Sequence, residues 1–256
     1  MDSVKDYVEL IKAPWGKMFY DLMFIQIGIL HTPRLKILDF GSGLGVTSNH
    51  FAKWHDVTAI EPNQEMISNS SHENPYTQIC GGIEKVTEFE HETFDVIICH
   101  NVLEYIEKKE PIISELLRVL KLGGILSIIK HNRVGRVFGT AVFKNDPKKA
   151  LALIDNNVND NNNYLGTQYI YSNDDVKKWI SKYNGEIIKF MGMRTFYALG
   201  QDNTIKYEDE WFKNMLILEN HVAEIDVYRS AAFYSHLFIK KTEELRYQSS
   251  AVISLD

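Results

Sequence analysis

Asp39, Gly41, Gly43 and Gly45 alternate through the stretch Leu35-Lys-Ile-Leu-Asp-Phe-Gly-Ser-Gly-Leu-Gly, where an apolar run gives way to small residues. Glycines so spaced let the backbone take positive φ and come close to a ligand, and a helix opening after them turns its free amides the same way. The pattern departs from the dinucleotide fingerprint G-x-G-x-x-G, because the third glycine comes one residue early and Val46 holds its place. A carboxylate at the strand tip, Asp39, would repel a pyrophosphate yet can accept hydrogen bonds from an amine, directly or through water. A second acid, Glu61, closes the apolar run 57–60, where it can accept both hydroxyls of a ribose. The spacing therefore points to a nucleoside-like ligand that carries an amine and no phosphate.

S-adenosylmethionine has that chemistry, and these residues resemble the class I S-adenosylmethionine-dependent methyltransferases. The first motif of that family is D-x-G-x-G-x-G, and its second is an acid ending strand two. The resemblance implies that Gly41, Ser42 and Gly43, with Asp39, line the methionine part of the cofactor, and that Glu61 and Pro62 meet the ribose. It implies further that Gly82, Ile83 and Glu84 border the adenine, although the family often carries Asp in that third segment. His100 falls at the cofactor edge, where it either contacts the adenosine, acts as a base, or packs at the strand end. Lys17 and Tyr20, in a segment that relatives fold over the cofactor, are placed to meet its carboxylate. The product would be S-adenosylhomocysteine.

Such residues need a frame that gathers strand ends. Runs 35–40, 57–60, 77–80, 94–99 and 125–129 read as strands, separated by helical patterns at 44–54, after Asn63, and at 111–120. The first of these helices would show Val46, Phe51 and Trp54 on one face, and the last is stopped by Gly123-Gly124. After Lys130 the alternation breaks. Residues 131–170 form an insertion in which Val134, Val137, Phe138, Val142 and Phe143 make one side of a short helical lid, and the Asn-rich run 156–163 is an exposed loop. A helix capped by Ser172 runs to Tyr183, then come a strand at 186–191, a helix at 209–227 and a strand at 233–240. The expected fold is α/β: a Rossmann-like, doubly wound sheet of seven mostly parallel strands, with a cover helix at 15–30 and the lid after strand five. One methyltransferase domain over 1–241 and a loosely held tail at 242–256 complete the expectation.

Composition narrows the class. The chain has 256 residues, a net charge of −6 and two cysteines, and its apolar run 22–30 is interrupted by Gln26 and too short to cross a bilayer. Acids at 2, 6, 9 and 21 argue against a signal peptide, so a cytoplasmic protein is expected, with Cys80 and Cys99 as reduced core thiols. The nine histidines show no H-x-x-x-H spacing and the cysteines no C-x-x-C, so no metal is expected. No G-x-S-x-G elbow points to a serine hydrolase.

The methyl acceptor has to be read from the second half. Between 121 and 149, Lys121, Lys130, Arg133, Arg136, Lys144, Lys148 and Lys149 face only Asp146, a surplus of six positive charges that suits a polyanion or, alternatively, a solvated face. His100-x-Val-Leu-Glu-Tyr, Asn132, Gly192-Met-Arg-Thr-Phe, Leu216-x-Leu-Glu and Tyr234-x-His-Leu are similar to one branch of the class I enzymes, the CmoM (SmtA-like) branch. That branch esterifies the carboxylate of uridine-5-oxyacetic acid at the tRNA wobble position, which would make tRNA a partner. It tends to carry an arginine where Phe19 stands here. A carboxylate acceptor is ionised at neutral pH and needs a positioned cation rather than a base. Arg194 could hold it bidentately and Asn132 could donate to it, as the two catalytic residues. Tyr164, Tyr169, Tyr171, Phe196 and Tyr197 flank the lid and could stack a base. The alternative is an O- or N-methyltransferase acting on a small molecule; a cofactor-binding protein without turnover is a third class.

Overall fold

The computed structural model describes residues 4–29, 32–155 and 168–243. Two helices precede the sheet, α1 (Val4–Lys12) and α2 (Pro14–Ile27). Pro14 opens the second, where a missing N–H costs nothing, and Gly28 closes it in the left-handed region at φ 61°. Strands and helices then alternate: β1 (Lys36–Phe40), α3 (Val46–Phe51), β2 (Asp56–Glu61), α4 (Gln64–Ser68), β3 (Thr77–Cys80), α5 (Ile83–Val86), β4 (Phe94–His100), α6 (Lys109–Val119) and β5 (Leu120–His131). The remainder comprises α7 (Arg133–Val142), α8 (Pro147–Ile154), α9 (Asn173–Ile180), β6 (Gly185–Met193), α10 (Asp209–Val222), α11 (Asp226–Arg229) and β7 (Tyr234–Lys241).

The seven strands form one sheet in the order β3-β2-β1-β4-β5-β7-β6. β1 to β5 pair in parallel, and β7 enters antiparallel to both of its neighbours. Side chains alternate across the sheet, so each central strand feeds two cores. Leu38, Phe40, Ile97 and Cys99 pack with Leu116 of α6 and Val176 of α9. Ile37, Val57, Val96 and Ile98 pack on the other side with Met18 and Leu22 of α2, Phe51 of α3 and Phe212 of α10. Each such side chain contributes roughly 1.5–3 kcal/mol by leaving water. The doubly wound, seven-stranded reading thus describes the fold.

Several local expectations are corrected. The N-terminal cover is two helices, because Val4, Tyr7, Val8 and Ile11 form a second apolar stripe that packs on Leu44 and Met66. α3 spans only Val46–Phe51, and Trp54 lies beyond it, 43% exposed, instead of sharing its buried face. Gly123-Gly124 do not separate helix from strand: β5 runs back to Leu120, which pairs with Phe94, and the register shifts across the glycines. The helix expected over 209–227 ends at Val222, because the Ala223 carbonyl accepts the Gly192 amide of β6 at 2.7 Å and is lost to the helix ladder. Cys80, at the tip of β3, is exposed, so only Cys99 is a core thiol; both are free. The Asn-rich run, Tyr164 and residues 244–256 lie outside the described residues.

α7 crosses the start of β7 at very close range. A Cβ on Gly135 would lie 2.4 Å from the Ala232 carbonyl oxygen, a backbone atom that cannot move aside. Gly135→Ala should therefore lower stability by about 1–3 kcal/mol, read as a lower urea midpoint with an unchanged m-value.

Candidate active site

The site grows from the turn after β1. The Gly41 and Ser42 amides both donate to the Ile60 carbonyl, at 2.8 and 3.0 Å, which ties the turn to the end of β2. Gly41 sits at φ 79°, and a Cβ there would lie 2.2 Å from Val102 Cγ2. Glu61 closes the same corner from below: its two oxygens accept the Gly43 amide at 2.8 Å and the Asn63 amide at 2.9 Å. Asn63 in turn caps α4 by accepting from the Glu65 and Met66 amides. The Gly41, Ser42 and Gly43 amides are thus engaged within the protein.

What the turn leaves facing inward is acceptor chemistry. Asp39 is buried and accepts from Ser48 Oγ at 2.6 Å. Burial, helped by the nearby Glu61, lifts its carboxyl from the ordinary 3.8 to about 6, against the lowering effect of Ser48. Burial likewise pushes the Tyr7 hydroxyl up to about 12 and holds His100 down at about 3, neutral at physiological pH.

One cavity of about 680 Å³ gathers ten of the expected residues: Tyr20, Asp39, Gly41, Ser42, Gly43, Glu61, Pro62, Gly82, Ile83 and His100. Tyr7, Phe19, Met66, Asn101, Val102 and Tyr105 join them. Asn101, Val102 and Tyr105 fall within the segment already singled out after β4. Tyr7 and Met66 were missed, though the i, i+3, i+4, i+7 spacing of Val4, Tyr7, Val8 and Ile11 was a visible signal. Three buried polar atoms on this wall, Ser42 Oγ, His100 Nδ1 and Asn101 Oδ1, have no hydrogen-bond partner in the protein. Orphaned polar atoms in a buried cavity are costly unless a ligand satisfies them.

Four expected residues stand elsewhere. Lys17 turns outward, pairing with Asp21 at 2.6 Å and lying over the Phe212 ring at 4.2 Å. Glu84 is exposed and accepts its own loop's Gly82 amide at 2.7 Å, so only Gly82 and Ile83 of that segment reach the cavity. Asn132 is not free to meet a substrate. Its Oδ1 caps α7 through the Val134 amide, and its Nδ2 donates to Ser230 and Ala232 carbonyls at 2.8 and 2.9 Å. Arg194 lies one aromatic layer from the cavity. Its guanidinium sits 5.3, 5.5 and 5.7 Å from the ring centres of Tyr197, Phe233 and Tyr234, and Tyr234 touches the cavity residue Phe19. Arg194 makes no ion pair among the described residues, and its Nε is buried without a partner. Its φ of 59° costs roughly 1–2 kcal/mol, and buried Glu219 holds that turn by accepting the Thr195, Phe196 and Tyr197 amides, each at 2.7 Å.

The basic segment is not one face. Lys121 pairs with Asp95 at 2.6 Å at the far edge of the sheet; Lys130 is buried on the Tyr171 carbonyl at 3.0 Å; Arg133 binds the Leu153 and Ile154 carbonyls; Arg136 binds Gln168 at 3.0 Å. Of the flanking aromatics, Tyr171 and Tyr197 are buried and present no stacking surface. Among the described residues no cluster of His, Cys, Asp and Glu could hold a metal, and no helix is long and apolar enough to cross a membrane.

A model of the methyltransferase domain matches residues 38–128. The tRNA 5-carboxymethoxyuridine methyltransferase of Escherichia coli O157:H7 is 22% identical over 226 residues, covering 82% of this chain and 81% of that protein. A thiol S-methyltransferase of Rattus norvegicus is 28% identical over 105 residues, 38% of this chain and 43% of its own length. Among solved structures, a Thermotoga maritima S-adenosylmethionine-dependent methyltransferase, described as a possible histamine N-methyltransferase, superposes with a TM-score of 0.59 at 14% identity, over 93% of this chain and 96% of that one. Residues 38–128 are accordingly a methyltransferase domain, within a sheet that has the class I methyltransferase fold and with S-adenosylmethionine as its cofactor. The orphaned atoms around the cavity fit a ligand that brings its own donors and acceptors, as this cofactor does.

Asp39 gives a signed test of the buried site. Between the ordinary 3.8 and about 6 the folded chain binds its proton more tightly than the unfolded chain, so this residue makes stability fall as pH rises through that window. The full difference corresponds to at most about 3 kcal/mol. Asp39→Asn should remove it, seen as a smaller loss of urea midpoint for the variant than for the unaltered protein between about pH 4 and pH 7.

Proposed function

We propose that this enzyme methylates the carboxylate of uridine-5-oxyacetic acid at the wobble position of tRNA, in the cytoplasm. The observation that carries the reading is Arg194, a half-buried guanidinium framed by three aromatic rings, with no ion pair among the described residues and one ring away from the cavity. The long match to the Escherichia coli tRNA enzyme supports it, since 226 aligned residues reach far past the matched domain into the half that supplies Arg194. In this reading residues 1–241 act as one domain, with 131–170 as its substrate-side insertion.

Tyr20, Asp39, Gly41, Ser42 and Gly43 hold the methionine half of S-adenosylmethionine, Glu61 and Pro62 the ribose, and Gly82 and Ile83 the adenine edge, with His100 at the edge of the cofactor. When bound, the cofactor supplies an electrophilic methyl group on a sulfonium. The protein's own work is then positional. A carboxylate is already ionised near neutral pH, so no side chain has to take a proton from it. Arg194 grips that carboxylate through two parallel N–H bonds and aims one oxygen along the line of attack. Phe19 and Tyr234 wall the approach with apolar surface that keeps water from competing. Glu219 fixes the turn that carries the guanidinium, so orientation does not depend on a flexible loop.

A second reading keeps Arg194 and changes the size of the acceptor. Because four of the seven cations between 121 and 149 are engaged inside the protein, charge alone favours a small carboxylate over a polynucleotide. The two separate cleanly. Purified enzyme with labelled cofactor should methylate bulk tRNA from cells lacking the gene, with activity falling steeply as salt rises; labelling of small metabolites alone would overturn the tRNA reading. Arg194→Ala should lower turnover by about 100-fold or more, with cofactor affinity by calorimetry changed less than about twofold. Unchanged turnover would remove Arg194 from the acceptor site.

A further inference from the structure

A continuous hydrogen-bonded chain runs from the cavity wall through the sheet to the end of β6. His100 Nε2 lies 2.8 Å from Ser127 Oγ, which lies 2.8 Å from His236 Nε2. His236 Nδ1 lies 2.7 Å from Gln26 Oε1, and Gln26 Nε2 donates to the Gly192 carbonyl at 3.1 Å. The elements involved are β4, β5, β7 and α2, and Gln26, Ser127 and His236 are all buried.

The direction of every proton in this chain is forced from its far end. A carbonyl only accepts, so Gln26 must present its amide nitrogen to Gly192 and its oxygen to His236. His236 Nδ1 must then carry a hydrogen, which leaves Nε2 bare in the neutral ring. Ser127 fills that bare nitrogen with its one hydroxyl hydrogen and has only lone pairs left for His100. His100 Nε2 must therefore be the protonated nitrogen, and its Nδ1 must be bare. That atom is the one that is buried on the cavity wall with no partner. Reversing the chain would require a proton on His236, which burial, His100 and Lys189 all oppose.

We propose that Gln26, His236 and Ser127 set the tautomer of His100, so that its Nδ1 is a fixed hydrogen-bond acceptor for an N–H or O–H group of the bound ligand. This rests on the reading of the cavity as the cofactor site. His100 is the contacting residue and the other three are positioning residues. Asp39, on the neighbouring strand, is a second acceptor on the same wall, accepting from Ser48. A carboxylate acceptor brings no hydrogen, so under the wobble-uridine reading the donor belongs to the cofactor, whereas a hydroxyl, thiol or amine acceptor could supply it instead. The neutral imidazole resists protonation, which suits recognition of a donor and not removal of its proton.

The tautomer can be read directly. Protein labelled with nitrogen-15 histidine, assigned with His100→Gln, should show His100 with hydrogen on Nε2 and a bare Nδ1 before any ligand is added. Saturating S-adenosylhomocysteine should move the Nδ1 resonance toward the hydrogen-bonded range if the donor is the cofactor's; movement only after tRNA from cells lacking the gene joins it assigns the donor to an N–H or O–H of the RNA other than the reacting carboxylate. Ser127→Ala should turn the single tautomer into a mixture and weaken S-adenosylhomocysteine binding by about tenfold, while Ser127→Thr restores both. Hydrogen on Nδ1 in the ligand-free protein, or an Nδ1 that neither addition moves although calorimetry shows S-adenosylhomocysteine bound, overturns the proposal. Absence of S-adenosylhomocysteine binding would fault the cofactor reading and overturn the ligand contact, with the ligand-free tautomer still deciding the relay.

Discussion

Two backbone amides on one buried carboxylate hold the ligand end of this sheet together. Glu61 accepts from Gly43 and Asn63, and so joins the turn after β1 to the start of α4 across the tip of β2. Packing contributes little there beyond Leu44, which meets Met66 of α4, since the rest of the turn is glycine and serine. Hydrogen bonds to a carboxylate are about twice as strong as neutral ones and directional, which makes them suited to fixing a turn with so few packing side chains. The Gly41 and Ser42 amides complete the tie through Ile60. The wall of the cavity is then set to within the tolerance of a hydrogen bond.

The cavity that results is rich in acceptors and poor in cations. Lys17 has turned away, and the carboxylates of Asp39 and Glu61, the Asn101 carbonyl and the His100 imidazole remain. Such a wall is expensive for an isolated protein, because desolvated acceptors lose their water without regaining partners. It becomes favourable around a ligand that carries positive charge and several N–H and O–H groups. The raised Asp39 and the lowered His100 express the same fact from two directions: both groups are pressed toward their neutral forms by burial. The wall is thus complementary to a cationic, donor-bearing ligand through what it lacks as much as through what it holds.

The sequence disclosed the local chemistry and hid the long-range contacts. The D-x-G-x-G-x-G spacing, the acid ending β2 and the alternation of strands and helices are local properties; they placed the sheet and singled out ten residues that line one cavity. Asn132 and Lys17 misled because their types are equally suited to structural use: an amide beside a helix start became its cap, and a lysine one turn before an aspartate became its partner. The basic stretch misled for a related reason. Seven cations near in sequence are spread over a strand that traverses the whole sheet and two helices beyond it, so nearness along the chain did not become nearness in space. Glu219 could be noticed in sequence but not understood, because its meaning lies in three amides more than twenty residues away. The chain from His100 to Gln26 joins four elements and leaves no trace in any one of them.

β7 lies between β5 and β6, although it is the last strand in the chain. The strands from β1 to β5 form one side of the sheet by local crossovers and can assemble as they emerge. β6 has no neighbour until β7 arrives, so its edge waits unpaired through the synthesis of nearly fifty further residues. The parallel half, with the turn after β1, is therefore complete along the chain before the half that carries Arg194, the Glu219 turn and the end of the histidine chain. Insertion of the final strand supplies at one stroke the neighbour of β6, the outer partner of β5 and the His236 link of the hydrogen-bonded chain, so a chain stopped short of it keeps the β5 and β6 edges open.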